Sequence, residues 1–421
     1  MNQFLQRLLI CAASVTVLAS CGGGNDIASG GTGTGVTSAS AVASAKATPT
    51  VAAMDNIGFA SVPAGSILKV AYVDGIWTNT FSKIPAAGFA APDIVIYSFI
   101  QNSKNNNPPF NGLNSITIDP ILAASITSGV KQQSSSSKVF ISVGGANMFP
   151  ADINMTNANN IVNNVIAGIA TLNKTLQKPI VGVDLDLENG ITAETISTLA
   201  AGFQKANFLV SIAPQPVSTS APVAPWNLPN INPAYPNGVP NVSPALNLSS
   251  GGTGTSNDYG AAIASGNVDY IFAQAYSTGP GGISVGGCAE TQPCIVGQLA
   301  TAFNNLMQLS CAGSTSPLCI PSKTTRNNPV QYAIGVPTNR GGAGTENSIW
   351  GSGPYSDPSI LNTLATEITN DIPIFQKKGN NGIMTWVLNA DYIPTSYNDS
   401  SACVGGFSSV VFGATQAMSC P

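Results

Sequence analysis

The 421 residues include 43% hydrophobic but only 8% charged side chains, so a sizeable core lies behind a surface that is polar without the ~25% charge of an average soluble domain. A net charge of -4 with 15 Lys plus Arg leaves no basic patch for nucleic acid. Histidine is absent, which excludes Ser-His-Asp and Cys-His catalysis and His-ligated zinc and leaves acid–base work to carboxylates, Tyr or Lys.

In chain order the first element is a targeting segment. Arg7 supplies a short positive region, Leu8 to Leu18 are mostly apolar, and Leu18-Ala19-Ser20-Cys21 reads as a bacterial lipobox. Residues 1–21 are therefore expected to be a lipoprotein signal peptide, with Cys21 lipidated as the first residue of an exported chain that is anchored in the cell envelope, at the outer membrane, or secreted. The apolar run is shorter than the ~20 residues of a membrane span. Residues 22–65 are rich in Gly, Ser, Thr and Ala without apolar periodicity, the composition of a flexible tether. The folded domain is expected over 66–421, as a monomer. Of eight cysteines, Cys11 leaves with the signal and Cys21 takes lipid. Local pairing of the remaining six, Cys288 with Cys294, Cys311 with Cys319 and Cys403 with Cys420, is the simplest arrangement for an exported protein.

Short runs rich in Val, Ile, Phe and Tyr then recur. They predict strands over Ile67–Val73, Asp93–Phe99, Val139–Val143, Ile180–Leu187, Phe208–Ala213, Val268–Tyr276, Val330–Val336 and Gly382–Leu388. Their near-continuous apolarity suits a parallel sheet buried on both faces. Amphipathic stretches between them predict helices over Pro120–Gln133, Ala158–Leu176, Ala193–Lys205, Ile295–Leu309 and Pro358–Lys377. The alternation predicts an α/β fold, a (β/α)8 TIM barrel. An open doubly wound sheet is the alternative, but no Gly-x-Gly-x-x-Gly follows the first strand. Ser218–Asn257, rich in Pro, Asn, Gly and Ser and holding Trp226 and Tyr235, interrupts the rhythm after the fifth strand. It is expected to wall a cleft on the C-terminal face, where barrel sites form.

The chemistry concentrates at the end of the fourth strand, Gly182-Val183-Asp184-Leu185-Asp186-Leu187-Glu188. Alternate residues share a face, so Asp184, Asp186 and Glu188 line one side and Val183, Leu185 and Leu187 the other. Three carboxylates in a packed barrel mouth cannot all ionise, and at least one proton is held. A carboxylic acid kept protonated near neutral pH is what a glycosidase uses to protonate a leaving oxygen. A calcium loop also spaces acids by two, but it wants Gly at its sixth position and Glu at its twelfth, where Asn189 and Thr195 stand. No cofactor and no metal are expected.

Val181-Gly182-Val183-Asp184-Leu185-Asp186-Leu187-Glu188 resembles the fourth-strand motif Asp-Gly-x-Asp-x-Asp-x-Glu of the chitinases of glycoside hydrolase family 18. Ser142-Val143-Gly144-Gly145 resembles that family's Ser-x-Gly-Gly. Ala213-Pro214-Gln215, Gln274-Ala275-Tyr276 and Met384-Thr385-Trp386 fall in order on the later predicted strands. Val181 replaces the motif's first Asp, and Ser277 stands where the family often has Asn. The space before the eighth strand admits one helix and no additional α+β domain, as in the compact, plant-like subgroup.

The resemblance implies substrate-assisted hydrolysis of chitin or other N-acetylglucosamine oligosaccharides. Glu188 would protonate the glycosidic oxygen, and the substrate's own acetamido oxygen would attack the sugar. Asp186 would hold the acetamido N–H, Asp184 would share a proton with Asp186, and Tyr276 would donate to the acetyl oxygen. Trp386 would form the apolar floor, with Gln274, Gln215 and Tyr72 as further substrate-binding candidates. Ser142, Gly144 and Gly145 are read as close packing beneath the site. An endo-β-N-acetylglucosaminidase acting on glycoprotein glycans and a non-catalytic chitin-binding lectin are the competing readings; retention of Glu188 argues against the lectin.

Overall fold

Val, Ile, Phe and Tyr at alternating positions fit a pleated surface buried on both sides, and the chain extends where they concentrate. The computed structural model describes residues 58–60, 62–76, 78–100, 116–146, 148–219, 245–251, 257–278, 283–307, 320–321, 323–343, 348–350, 359–415 and 418–421, all within the unit Thr48–Pro421. The expected signal peptide, Cys21, most of the tether, Trp226, Tyr235 and the Cys311–Cys319 pair lie outside the described residues.

The strands are β1 (Leu68–Asp74), β2 (Ile94–Ile100), β3 (Lys138–Gly144), β4 (Ile180–Asp186), β5 (Leu209–Ile212), β6 (Gln215–Thr219), β7 (Ala245–Ser249), β8 (Tyr270–Gln274), β9 (Ser284–Val285), β10 (Cys288–Ala289), β11 (Gln331–Pro337) and β12 (Gly382–Trp386). Among them β1, β2, β3, β4, β5, β8, β11 and β12 pair in parallel in that order, and β12 returns to β1 to close a barrel. This is the (β/α)8 barrel predicted from the alternation, and each barrel strand begins and ends within two residues of its predicted run.

The period of two produces two cores. Leu68, Val70 and Tyr72 of β1, Phe140 of β3, and Tyr270 and Phe272 of β8 fill the barrel interior. Their neighbours, among them Ala71, Val73, Ile141, Leu185 and Ile271, face the helical layer. At the interior position Gly182 a Cβ would lie 2.4 Å from the Phe140 ring, so the bulk of Phe140 fits only because residue 182 has none.

The outer layer includes Pro120–Val130, Ala158–Asn173, Ala193–Lys205, Ile295–Leu306 and Ser359–Gln376. Local chemistry sets their starts. Asp119 caps Pro120–Val130 by accepting from Ile121 N at 2.7 Å, with Pro at the first position, where no N–H is needed. Thr192 caps Ala193–Lys205, with Glu194 in its first turn and Lys205 in its last complementing the helix dipole. Among the described residues no helix is long and apolar enough to cross a membrane.

The interruption after the fifth strand begins earlier than the sequence predicts. Gln215, expected at the end of the fifth barrel strand, opens the antiparallel pair β6–β7, Gln215 opposite Ser249 and Thr219 opposite Ala245. The barrel strand stops at Ile212 because Pro214 has no N–H to continue a ladder. Cys288 is bonded to Cys294 and Cys403 to Cys420, the expected local pairing.

Candidate functional site

β4 brings its carboxylates to the barrel in a graded row. Asp184 is fully buried, Asp186 is 5% exposed, and Glu188, two residues past the last strand residue, is partly exposed. The register places Asp184 beside Ser142 of β3 and Ser211 of β5. Both hydroxyls donate to its carboxylate at 2.6 Å, and the Tyr72 hydroxyl donates to it from β1 at 2.8 Å. Burial raises the pKa of Asp184, and the bonds from Ser142, Ser211 and Tyr72 oppose that rise.

Asp186 accepts from Gln274 Nε2 at 2.8 Å, and the same amide donates to the Ala213 carbonyl at 2.8 Å. Burial, then the negative charges of Glu188 and Asp184, push Asp186 well above the usual carboxylate range; the Gln274 bond only partly offsets them. The pair therefore keeps a proton where an isolated aspartate would have lost it, as the crowding of three acids predicts.

Tyr276 follows β8 by two residues, is 6% exposed, and is pushed upward by burial and then by Asp186, Glu188 and Asp184. Burial and the charge of Asp184 likewise raise Tyr72. Both phenols stay neutral and can donate. Tyr72, expected to bind substrate, is 1% exposed and has its hydroxyl on Asp184. Trp386 ends β12 with its side chain partly exposed. It stacks on Phe99 with centroids 5.3 Å apart and meets Tyr72 edge-on at 5.7 Å, so an aromatic surface adjoins the carboxylate row. Gln215 lies off the barrel, on the β6–β7 pair, with its side-chain amide oxygen beside Gly251.

Gly144 and Gly145 do serve close approach. Gly144 has φ +127°, and a Cβ there would sit 1.9 Å from the Asp186 carbonyl oxygen, which accepts from Gly145 N at 2.7 Å. Ser142 does more than pack, since its hydroxyl is one of the donors to Asp184. Two residues carry no signal in the sequence. Ser211 is found only by its register opposite Asp184. Tyr259, fully buried, places its hydroxyl on the Leu187 peptide, accepting from Leu187 N and donating to Leu187 O, both at 2.8 Å.

Neither protein-family profiles nor curated proteins give a match to this sequence. Among solved structures, it is similar to a fungal endo-β-N-acetylglucosaminidase from glycosyl hydrolase family 18, at 15% identity over 83% of this chain and 95% of that one, TM-score 0.44. It is similar to the catalytic domain of a family 18 chitinase from the fern Peteris ryukyuensis, at 15% identity over 79% and 96%, TM-score 0.41. It is also similar to a class V chitinase from Pseudomonas fluorescens Pf-5, at 13% identity over 76% and 95%, TM-score 0.44. The barrel assignment stands on the closed strand order itself.

Proposed function

We propose that this chain is a glycoside hydrolase that cleaves β-1,4-linked N-acetylglucosamine polymers by substrate-assisted, retaining catalysis. The observation that carries the reading is the graded row Asp184–Asp186–Glu188. Its buried members crowd together; burial raises both above the usual carboxylate range and neighbouring charge raises Asp186 further, while its last member reaches the partly exposed mouth. Glu188 is the proton donor to the glycosidic oxygen. Asp186, fixed by Gln274, orients the acetamido N–H and stabilises the positive charge that develops on the sugar. Asp184 governs the charge of Asp186. Tyr276 donates to the acetamido oxygen, and Trp386 supplies the apolar platform.

Asp186 and Glu188 are same-face neighbours about 7 Å apart along the backbone. They approach a sugar from one side, whereas an enzyme nucleophile and an acid flank the scissile bond. That placement favours the acetamido oxygen as the nucleophile.

The test is turnover of chito-oligosaccharides by the wild type and by Glu188→Gln. The wild type should release products that first appear as the β-anomer and should leave deacetylated chitosan and glucose oligomers intact. Glu188→Gln should lose at least about a hundredfold in kcat while still binding. Near-normal turnover by that variant rejects the assignment. Cleavage of a high-mannose glycoprotein in place of chito-oligosaccharides moves the substrate to glycoprotein glycans. Initial α-anomer overturns the mechanism.

A further inference from the structure

Glu188 stands where the sheet no longer holds the chain. The last ladder partner of β4 toward β3 is Gly144, opposite Asp186, and toward β5 it is Ile212, opposite Leu185. The Leu185 and Asp186 carbonyls are taken by Ala213 N at 3.1 Å and Gly145 N at 2.7 Å. From Leu187 onward the backbone groups need other partners. On the near side of Glu188, one phenol supplies them: Tyr259 satisfies both the N–H and the carbonyl of Leu187. Tyr259 is fully buried and is tied to the β6–β7 pair, its own N–H donating to Leu248 O at 3.1 Å.

On the far side the chain reverses. Asn189 has φ +60°, a left-handed conformation that Asn tolerates better than most residues. Its side-chain amide donates to the carbonyls of Ala146 at 3.0 Å and Met148 at 2.8 Å. Gly190 N then bonds Ser250 O at 3.3 Å. The backbone flanking Glu188 is thus clamped to two loops: one follows β3 and the other follows β7.

We propose that Tyr259 and Asn189 are the positioning residues of Glu188, fixing its backbone from both sides in place of the missing strand partners. The inference rests on the reading of Glu188 as the proton donor. A general acid must lie within hydrogen-bond reach of its oxygen, and a misplacement of about 1 Å can cost about a hundredfold. Ground-state binding over the aromatic platform does not depend on this clamp, so the loss falls on kcat. Among the described residues, the titratable groups that feel the charge of Glu188 include Asp186 at the end of β4, Tyr276 beyond β8 and Tyr259 itself. A shifted Glu188 therefore changes its distance to Asp186 and with it the pH profile.

The experiment compares wild type, Tyr259→Phe, Asn189→Gly and Glu188→Gln on chito-oligosaccharides across pH. Asn189→Gly accommodates the left-handed backbone and removes the side-chain amide. Both positioning variants should lose about tenfold or more in kcat with KM within about twofold, and the limbs of the kcat–pH profile should move. Two readouts need no substrate: hydrogen exchange at the Leu187 amide should accelerate in Tyr259→Phe, and the Glu188 carboxyl titration, followed by 13C NMR, should shift in both variants. Wild-type kcat, pH profile and titration in a folded Tyr259→Phe overturn the role of Tyr259; the same result in Asn189→Gly overturns the role of Asn189. If Tyr259→Phe fails to fold, Asn189→Gly decides the clamp. If the wild type cleaves no N-acetylglucosamine substrate, or Glu188→Gln turns over normally, the proposed function falls while exchange and titration still decide the positioning.

Discussion

Asp184 receives hydroxyls from three strands, Tyr72 on β1, Ser142 on β3 and Ser211 on β5. A fully buried carboxylate cannot stay charged without such donors, and each bond is strongest while the group is ionised. Ser211→Ala removes the donor to Oδ1 and should cost about 1–3 kcal/mol of stability while Asp184 is ionised. Losing that donor raises the folded pKa of Asp184 further, so the cost is complete above the folded value and fades as pH falls toward the unfolded value of 3.8. Thermal melts should show a larger deficit for the variant at neutral pH than near pH 4; an equal deficit at both would remove the charge from the argument. At this scale the acids were legible in the sequence, and of their partners Tyr72, Gln274 and Ser142 stand out in the sequence but with other roles. Asp184, Asp186 and Glu188 declare themselves through a spacing of two, a local property of any strand. Ser142 is visible in its motif, but its use as a donor depends on what lies across the ladder. Ser211 enters through register alone. Tyr259 is 72 residues from the peptide it holds, a distance over which no local pattern reaches.

Elements were legible wherever burial on both faces forced a continuous apolar run, which is why the barrel strands match their predicted runs. The exception is Gln215, where Pro214 ends one ladder and an antiparallel pair begins; a motif resembling a strand end could not reveal the change of partner. The two described disulfides also act at this scale, in different ways. Cys403–Cys420 spans a separation of 17 residues and Cys288–Cys294 a separation of 6. In the chain-entropy account the longer loop stabilises more, here by about 1 kcal/mol. The shorter one lies beside the site. Glu290, inside its loop, accepts from Thr278 N at 3.3 Å and Ile283 N at 3.0 Å, and from the Thr278 hydroxyl. Thr278 is two residues past Tyr276. Stability and turnover should therefore separate: Cys403→Ser with Cys420→Ser should lower the melting temperature more, and Cys288→Ser with Cys294→Ser should lower turnover more. The reverse order in paired melting and turnover measurements would contradict both assignments.

Across the whole molecule, scarcity of charge sets the response to pH. With no histidine in the chain, the carboxylates dominate titration between pH 4 and 7. The described acids with resolved shifts lean one way. Burial raises Asp269 to about 6 despite Val210 N and Arg326. It raises Asp391 to about 6 despite three hydrogen bonds from Phe407 and Ser408. Asp371 reaches about 6 through burial and the neighbouring Glu367, and Asp93, Asp184 and Asp186 are raised as well. Each binds its proton more tightly folded than unfolded. Between the unfolded value of 3.8 and the folded values near 6, the native state holds more protons than the unfolded chain. Its stability must then fall as pH rises through that window. At about 1.4 kcal/mol per unit, Asp391 alone contributes on the order of 2–3 kcal/mol. Most globular proteins lose stability in mild acid because their carboxylates are paired with cations; this one should gain it. Calorimetric melts at constant ionic strength should place the highest melting temperature near pH 4 to 5. The midpoint should drop most steeply up to about pH 6, where Asp269, Asp371 and Asp391 lose their protons. A melting temperature that climbs from pH 4 to 7 would mean that these carboxylates are ionised in the native state, and the proton-holding row at the barrel mouth would lose its physical basis.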